Sequence, residues 1–162
     1  MARTARTLAT DDLDDVAWRL LDALQADGRA PLKSLAESAG LSVAATAERL
    51  KRLTDTGHVR AITADVDATK AGYGVKAIVG ITVLQPGKKA LLDRLQKAPE
   101  VLECHHVAGA DSYLMTVVAR DLPDLERFIG TINRYGETHT SIVFSTPVAR
   151  RGLVQPGSAS RG

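Results

Sequence analysis

The sequence predicts an α+β chain of two domains, an N-terminal winged helix-turn-helix followed by a ferredoxin-like βαββαβ sandwich. Three observations carry this expectation. Residues 32–56, LKSLAESAGLSVAATAERLKRLTDT, read as two helices broken by a single glycine. Beyond residue 74, strand-like runs and amphipathic stretches follow one another in the order β, α, β, β, α, β. Between these parts, Asp67 to Gly74 holds two glycines and no sustained period, which places a hinge at residues 67–74.

Taken in order, residues 1–10, with Arg3 and Arg6 among Ala and Thr, offer too little to pack and form a flexible arm able to touch phosphate. Residues 11–66 make the first domain. Its opening helix, Asp11 to Ala26, has acids at the N-terminal end, where they complement the helix dipole. Leu13, Val16, Ala17, Leu20, Leu21 and Leu24 give it a buried stripe, and Trp18 lies slightly off that stripe as a packing or dimer-contact residue. In the next helix Leu32, Leu35, Ala36 and Ala39 share one face, and Gly40 supplies the left-handed residue of a tight C-cap. Leu41 packs, and Ser42 caps a third helix whose inward stripe is expected at Val43, Ala47, Leu50 and Leu53. Its outward face begins with Ala44, Ala45 and Thr46, small enough to let a backbone approach a groove, and continues with Glu48, Arg49, Lys51 and Arg52. A major groove admits one such helix. After Gly57, His58 to Val66 alternates apolar and polar residues as a short wing strand does, and brings Arg60 to the reader.

Charge in this domain is segregated. Asp11, Asp12, Asp14, Asp15, Asp22 and Asp27 crowd the first helix, whereas Lys33, Arg49, Lys51, Arg52 and Arg60 surround the helix-turn-helix. An acidic face repels phosphate and a basic face attracts it, so the domain would orient itself on a duplex. A solvated charge pattern, with Glu48 and Arg52 paired at i,i+4, is the plain alternative.

The second domain is expected over residues 75–152. VKAIVGITV (75–83) is β-branched and strand-like, and Gln85-Pro86-Gly87 turns the chain into a helix, Lys88 to Lys97, that Pro99 ends. Val101 to Val107 and Tyr113 to Ala119 are strands joined by Gly109 to Ser112, a hairpin composition. Leu122, Leu125, Phe128, Ile129 and Ile132 give a second helix its face, and Thr138 to Ser145 reads as the fourth strand. Both helices on one face leave the other open, and an exposed apolar sheet is covered by a partner, so dimerisation is expected. Pro147 to Arg151 continues the edge, and residues 153–162, ending in a Gly/Ser-rich stretch, form a disordered tail.

The bulk properties bound the function. A chain of 162 residues with 44% apolar content can fill a core, and a net charge of +2 points to an anionic partner only through local clustering. One cysteine excludes an internal disulfide and suits a reducing cytoplasm. No apolar run reaches the roughly 20 residues that span a bilayer, and no apolar signal core follows the N-terminal arginines, so a cytoplasmic protein without membrane contact is expected.

Leu13-Asp14 with Leu20-Leu21, Asp27-Gly28-Arg29, Leu35-Ala36 with Gly40-Leu41-Ser42, Glu48-Arg49 with Arg52-Leu53, and Gly57 form an ordered series. It resumes downstream at Val107-Ala108-Gly109-Ala110-Asp111-Ser112-Tyr113-Leu114. On these residues, positions 11 to 152 resemble the Lrp/AsnC family, the feast/famine transcription regulators of bacteria and archaea. The resemblance implies a sequence-specific regulator that binds double-stranded DNA, a palindromic operator, through Ser42, Ala44, Ala45, Thr46, Glu48, Arg49, Lys51, Arg52 and Arg60. It implies pairing of the second domains through their sheets, with dimers joining into tetramers or octamers. It also implies an amino-acid or other small effector held at the glycine-centred turn, between subunits. The candidate residues are Gly109, Ala110, Asp111, Ser112 and Tyr113, with Thr138, Thr140 and Ser141 of the last strand. This chain departs from the family pattern at Ala17, where a second acid is common, and at Ala110 and Ser112, where acids flank the turn's aromatic.

Other chemistry finds little support. Cys104, His105, His106 and His139 suggest a metal, but in a strand Cys104 and His106 point to one face and His105 to the other, so no metal site is expected. No oxyanion-hole motif, phosphate loop or carboxylate pair accompanies the cysteine, so neither catalysis nor a cofactor is expected. The alternative of another class is an enzyme like the sirohaem decarboxylases, which resemble the same architecture, with His105 or His106 protonating a tetrapyrrole. A third is an assembly module without either activity. The basic outward face of the third helix discriminates, because neither alternative needs it.

Overall fold

The computed structural model describes residues 13–84 and 86–158. The arm at 1–10 with Arg3 and Arg6, the acids Asp11 and Asp12, Gln85 of the expected turn, and the last four residues of the tail lie outside the described residues. The chain divides into two compact units, residues 1–64 with 150–162 and residues 65–149.

The first unit holds three helices. α1 (Asp15–Ala26) begins at Asp14, whose carboxylate accepts the amide of Ala17 at 2.8 Å. α2 (Leu32–Ala39) ends at Gly40 in the left-handed region, φ 70 and ψ 36. α3 (Val43–Asp55) begins at Ser42, whose hydroxyl accepts the amide of Ala45 at 3.2 Å. Leu20, Leu35 and Ala39 form the centre of the core, with Val16, Leu24, Leu41 and Leu50 packed around it.

Three expectations need correction in this unit. The inward stripe of α3 is rotated: Val43 is 47% exposed and Ala47 is also exposed, whereas Thr46 is fully buried and Leu50 and Leu53 lie below it. Positions 46, 50 and 53 are the i, i+4, i+7 face. Threonine is tolerated there because its hydroxyl donates to the Ser42 carbonyl at 2.9 Å, so no polar atom is stranded. The wing is not a strand. Residues 58–67 carry no regular structure, with Ile62 and Val66 exposed, because a strand exists only through a ladder, and all four paired strands belong to the second unit. The C-terminal segment, expected as an edge continuation and a loose tail, is held on α1. Gln25 Nε2 donates to the Leu153 carbonyl at 3.0 Å, Leu153 N donates to Gln25 Oε1 at 2.7 Å, and Gln155 Nε2 donates to Asp15 Oδ1 at 3.1 Å. A glutamine amide satisfies both main-chain groups of one residue at once, a contact that composition does not announce.

The second unit is an antiparallel sheet in the order β2-β3-β1-β4, formed by β1 (Val75–Thr82), β2 (Val101–His106), β3 (Tyr113–Ala119) and β4 (Glu137–Ile142). α4 (Lys88–Leu95) and α5 (Leu122–Ile132) complete the βαββαβ order. Ala77, Val79 and Ile81 of β1, with Met115, Val117 and Ala119 of β3, pack against Leu91, Leu95, Leu125, Phe128 and Ile132, so both helices cover one face. Two irregularities matter below. β2 is an edge strand whose register shifts between Val101 and Glu103, so Leu102 is a bulge residue. At the entry to β4, Gly136 lies so close to β1 that an added Cβ would stand 1.9 Å from the Thr82 carbonyl oxygen.

The uncovered face was expected to be apolar. Register places Lys76, Ile78, Gly80 and Thr82 of β1 beside Leu114 and Thr116 of β3, Glu103 and His105 of β2, and His139 and Ser141 of β4. The face is therefore mixed. Alternation along β1 and β3 supplies the apolar members, and the edge strands supply the polar ones.

Candidate nucleic-acid interface and effector site

Opposite the buried Thr46, Leu50 and Leu53, α3 presents Ala44, Ala45, Glu48, Lys51 and Arg52, all exposed. The small residues sit in the first turn, where a helix can approach a groove most closely, and the cations follow one and two turns later. Lys51 donates to Asp55 at 2.5 Å, and this carboxylate raises the pKa of the ammonium and keeps it charged. Arg60 lies exposed in the irregular segment after α3.

Two candidates face elsewhere. Thr46 is sealed in the helix interface. Arg49 is only half-exposed and forms an ion pair with Asp14, the N-cap of α1. The Ala17 amide and the Arg49 guanidinium together hold the Asp14 carboxyl below the usual carboxylate range. Arg49 thus ties the third helix to the start of the first and fixes how the outward face is presented. Arg19 contributes a second tie, donating to the Ala39 carbonyl at 3.1 Å at the C-terminal end of α2. Neither pairing is signalled by local spacing, since the partners lie far apart in the chain.

A pH dependence follows from Asp14. A carboxyl whose folded pKa is lowered contributes stability that is present above its unfolded value and lost as pH falls through the folded value. Melting of the wild type should therefore decline on acidification through the carboxylate range. Asp14→Asn, which keeps an N-cap acceptor without the charge, should flatten that decline and lower the melting temperature at neutral pH. Parallel pH–melting curves for the two proteins would expose an error in this assignment.

In the second unit, the turn at 107–112 is docked onto β1. Ser112 N donates to the Ile81 carbonyl at 2.9 Å, and the Ser112 hydroxyl accepts the Val83 amide at 3.1 Å. Thr82 Oγ1 donates to the Ala110 carbonyl at 3.0 Å. Asp111 folds over Gly80 so closely that a Cβ on Gly80 would stand 2.5 Å from its Oδ2. Oδ1 of Asp111 is buried without a hydrogen bond, with His139 Nδ1 at 3.6 Å. Among the described residues, the amides of Ala108, Gly109, Ala110 and Asp111 make no hydrogen bond. A Cβ at Gly109 would meet nothing within 4 Å, and Gly109 is not among the glycines with positive φ.

The eight effector candidates do not share one surface. Gly109 and Ala110 are exposed on the turn, Asp111 and Ser112 are engaged with β1, and Tyr113 is 6% exposed within β3. Thr138 and Thr140 stand opposite Ile81 and Val79, on the helix-covered face, and Thr138 Oγ1 donates to Asn133 Oδ1 at 2.6 Å. Ser141, opposite Ile78, is on the uncovered face. Gly80 and His139 complete the turn's setting and were missed as a pair. The visible signal was a glycine inside a β-branched run, which marks close approach of another group. Cys104 and His106 stand opposite Met115 and Tyr113, and His105 opposite Leu114 beside Glu103, so the strand separates them.

Residues 13–54 match the AsnC-type helix-turn-helix domain, and residues 76–153 match the Lrp/AsnC ligand binding domain. The chain belongs to the Lrp/AsnC family. It is 38% identical over 138 residues to the HTH-type transcriptional regulator LrpA of Mycobacterium tuberculosis, covering 83% of this chain and 91% of that one. LrpC of Bacillus subtilis is 29% identical, over 86% of this chain and 97% of its own. The solved structure of B. subtilis LrpC superposes with a TM-score of 0.80, covering 85% of this chain and 99% of that one at 28% identity. A feast or famine regulatory protein from M. tuberculosis, solved in complex with L-methionine, superposes at 0.82, with 34% identity over 88% of this chain and 99% of that one.

This Lrp/AsnC protein is accordingly a helix-turn-helix transcriptional regulator and not an enzyme, and the decarboxylase-like alternative is set aside by relatives that are named as regulators. Among the described residues, no helix is long and apolar enough to cross a membrane.

Proposed function

We propose that α3 reads a duplex operator through Ala44, Ala45, Glu48, Lys51 and Arg52, with Ser42 at the head of the helix and Arg60 on the phosphates. Arg49 and Thr46 act as positioning residues that set the helix rather than touch DNA. Residues 13–66 are the reader, 67–74 the hinge, and the sheet domain from residue 75 onward the part that binds effector and assembles. The observation that carries this reading is the exposed face of α3, small residues first and cations after, on a helix capped at Ser42. Recovery of genomic DNA bound to the full-length protein tests it. Enrichment of a shared palindromic sequence is expected, and recovery no greater than from a Lys51→Ala/Arg52→Ala control removes the reading.

The effector is an amino acid received at the turn. Two of the similar solved structures are L-methionine complexes, one of them of a transcriptional regulator from Neisseria meningitidis at 25% identity and a TM-score of 0.81. The unused amides of residues 108–111 suit a carboxylate, and the uncovered sheet face beside them suits a second copy of the chain, giving a homodimer that matches a palindrome. Coupling between effector and DNA sites is typically about 1 to 3 kcal/mol, so a bound amino acid should change operator affinity roughly 5- to 150-fold. Gly109→Val places bulk in open space without backbone strain, and should abolish the ligand response while leaving DNA binding intact. Calorimetry with L-methionine and the other amino acids decides this, and a panel without binding leaves the turn as a structural hairpin.

A further inference from the structure

A cleft of about 520 Å³ opens between the C-terminal end of α4 and the edge strand β2, away from the exposed amides of the turn. Its wall is apolar: Leu92, Leu95 and Ala98 on the helix side, Val101 and Leu102 on the strand side. The β2 bulge explains how two consecutive strand residues line one cavity. Regular alternation would send Leu102 to the opposite face, but the extra residue turns it toward Val101.

At one end the character changes. Tyr113 lines the cleft, is 6% exposed, and its hydroxyl has no hydrogen-bond partner among the described residues. A buried hydroxyl in a native structure is expected to have a partner. The His106 ring lies against it, with centroids 5.0 Å apart, and the Cys104 thiol opens onto the same space. Burial pushes the Cys104 thiol up, so it stays protonated and polarisable rather than anionic. No lysine or arginine lines the cleft, and Glu103 stands at its rim. A free carboxylate would find no cation there and would face a like charge.

We propose that this cleft is a second small-molecule site, distinct from the glycine turn, that takes a neutral, mostly apolar ring compound whose carbonyl oxygen accepts from Tyr113 Oη and the His106 imidazole. Its size and its few convergent polar groups are those of a ligand pocket. The ligand class differs from an amino acid by chemistry: zwitterions carry a carboxylate that this wall rejects. The inference does not rest on the turn's effector.

The single cysteine of the chain makes the test direct, because alkylation of Cys104 by iodoacetamide reports occupancy of the cleft in the full-length protein. Indanone at saturating concentration should slow alkylation about tenfold or more, since a bound ligand buries most of such a pocket's surface. Indanecarboxylate at the same concentration should not. Tyr113→Phe should weaken indanone binding about 2- to 10-fold, the usual worth of one hydrogen bond, and leave the weaker binding of indane unchanged. His106→Ala provides a second variant at an exposed position in case the tyrosine change perturbs folding. Unchanged alkylation with indanone, equal protection by the carboxylate, or two variants that bind indanone like the wild type would overturn the proposal. So would protection that rises with protein concentration in the absence of any probe, which would assign the cleft to a second copy of the chain.

Discussion

Lys51→Ala combined with Arg52→Ala should weaken operator binding by two orders of magnitude or more, because a bidentate arginine on guanine contributes about 1 to 3 kcal/mol and a lost phosphate contact adds to it. The slope of log affinity against log salt should also become shallower by roughly 2, one unit for each phosphate neutralised. Both side chains are exposed on α3, so the melting temperature should move little. Arg49→Ala behaves differently. Removing the partner of Asp14 should lower the stability of the first unit and weaken binding without changing the salt slope. Operator titrations of the three proteins across a salt series separate the two roles, and wild-type affinity in the double variant would show that another surface reads the DNA.

Gly136→Ala is expected to be among the most damaging single substitutions in the second unit. The glycine is in extended backbone, so its conformation suits any residue; the obstacle is space. An added Cβ would stand 1.9 Å from the Thr82 carbonyl oxygen and 2.9 Å from its carbon, both main-chain atoms that no rotamer change can move. β1 and the entry to β4 would have to part, which opens the Thr82–Glu137 end of their ladder. Overpacking typically costs about 1 to 3 kcal/mol and more where backbone must shift. Denaturant unfolding of the alanine variant measures it, and a cost under half a kcal/mol would mean that the strand end is free to yield.

The sequence was most legible where one residue determines one conformation. Gly40 and Ser42 fixed the break between α2 and α3, and the β-branched runs fixed β1 and β3. It was misleading where burial depends on a neighbour. Thr46 reads as polar, yet its hydroxyl returns to its own helix and leaves a methyl group for the core, which rotates the inward stripe of α3. His58 to Val66 has the alternation of a strand, but alternation says nothing of a partner for its amides. Gly80 was visible as an interruption in an apolar run, while the Asp111 carboxylate that occupies its space comes from a loop between two other strands. Spacing rules reach neighbours on one element, and these contacts join different ones.

The grip of Gln25 on Leu153 has a consequence for synthesis. The first unit is discontinuous, residues 1–64 with 150–162, so the sheet domain is inserted between its two pieces. On the ribosome, the three N-terminal helices emerge early, but the contacts that Leu153 and Gln155 make with α1 cannot form until the whole second unit has been translated. A nascent chain stalled before residue 150 therefore carries a complete set of sheet strands beside a first unit whose acceptor surface on α1 is still bare. A protease cut in the 67–74 segment of the finished protein would leave two fragments still associated through that late contact.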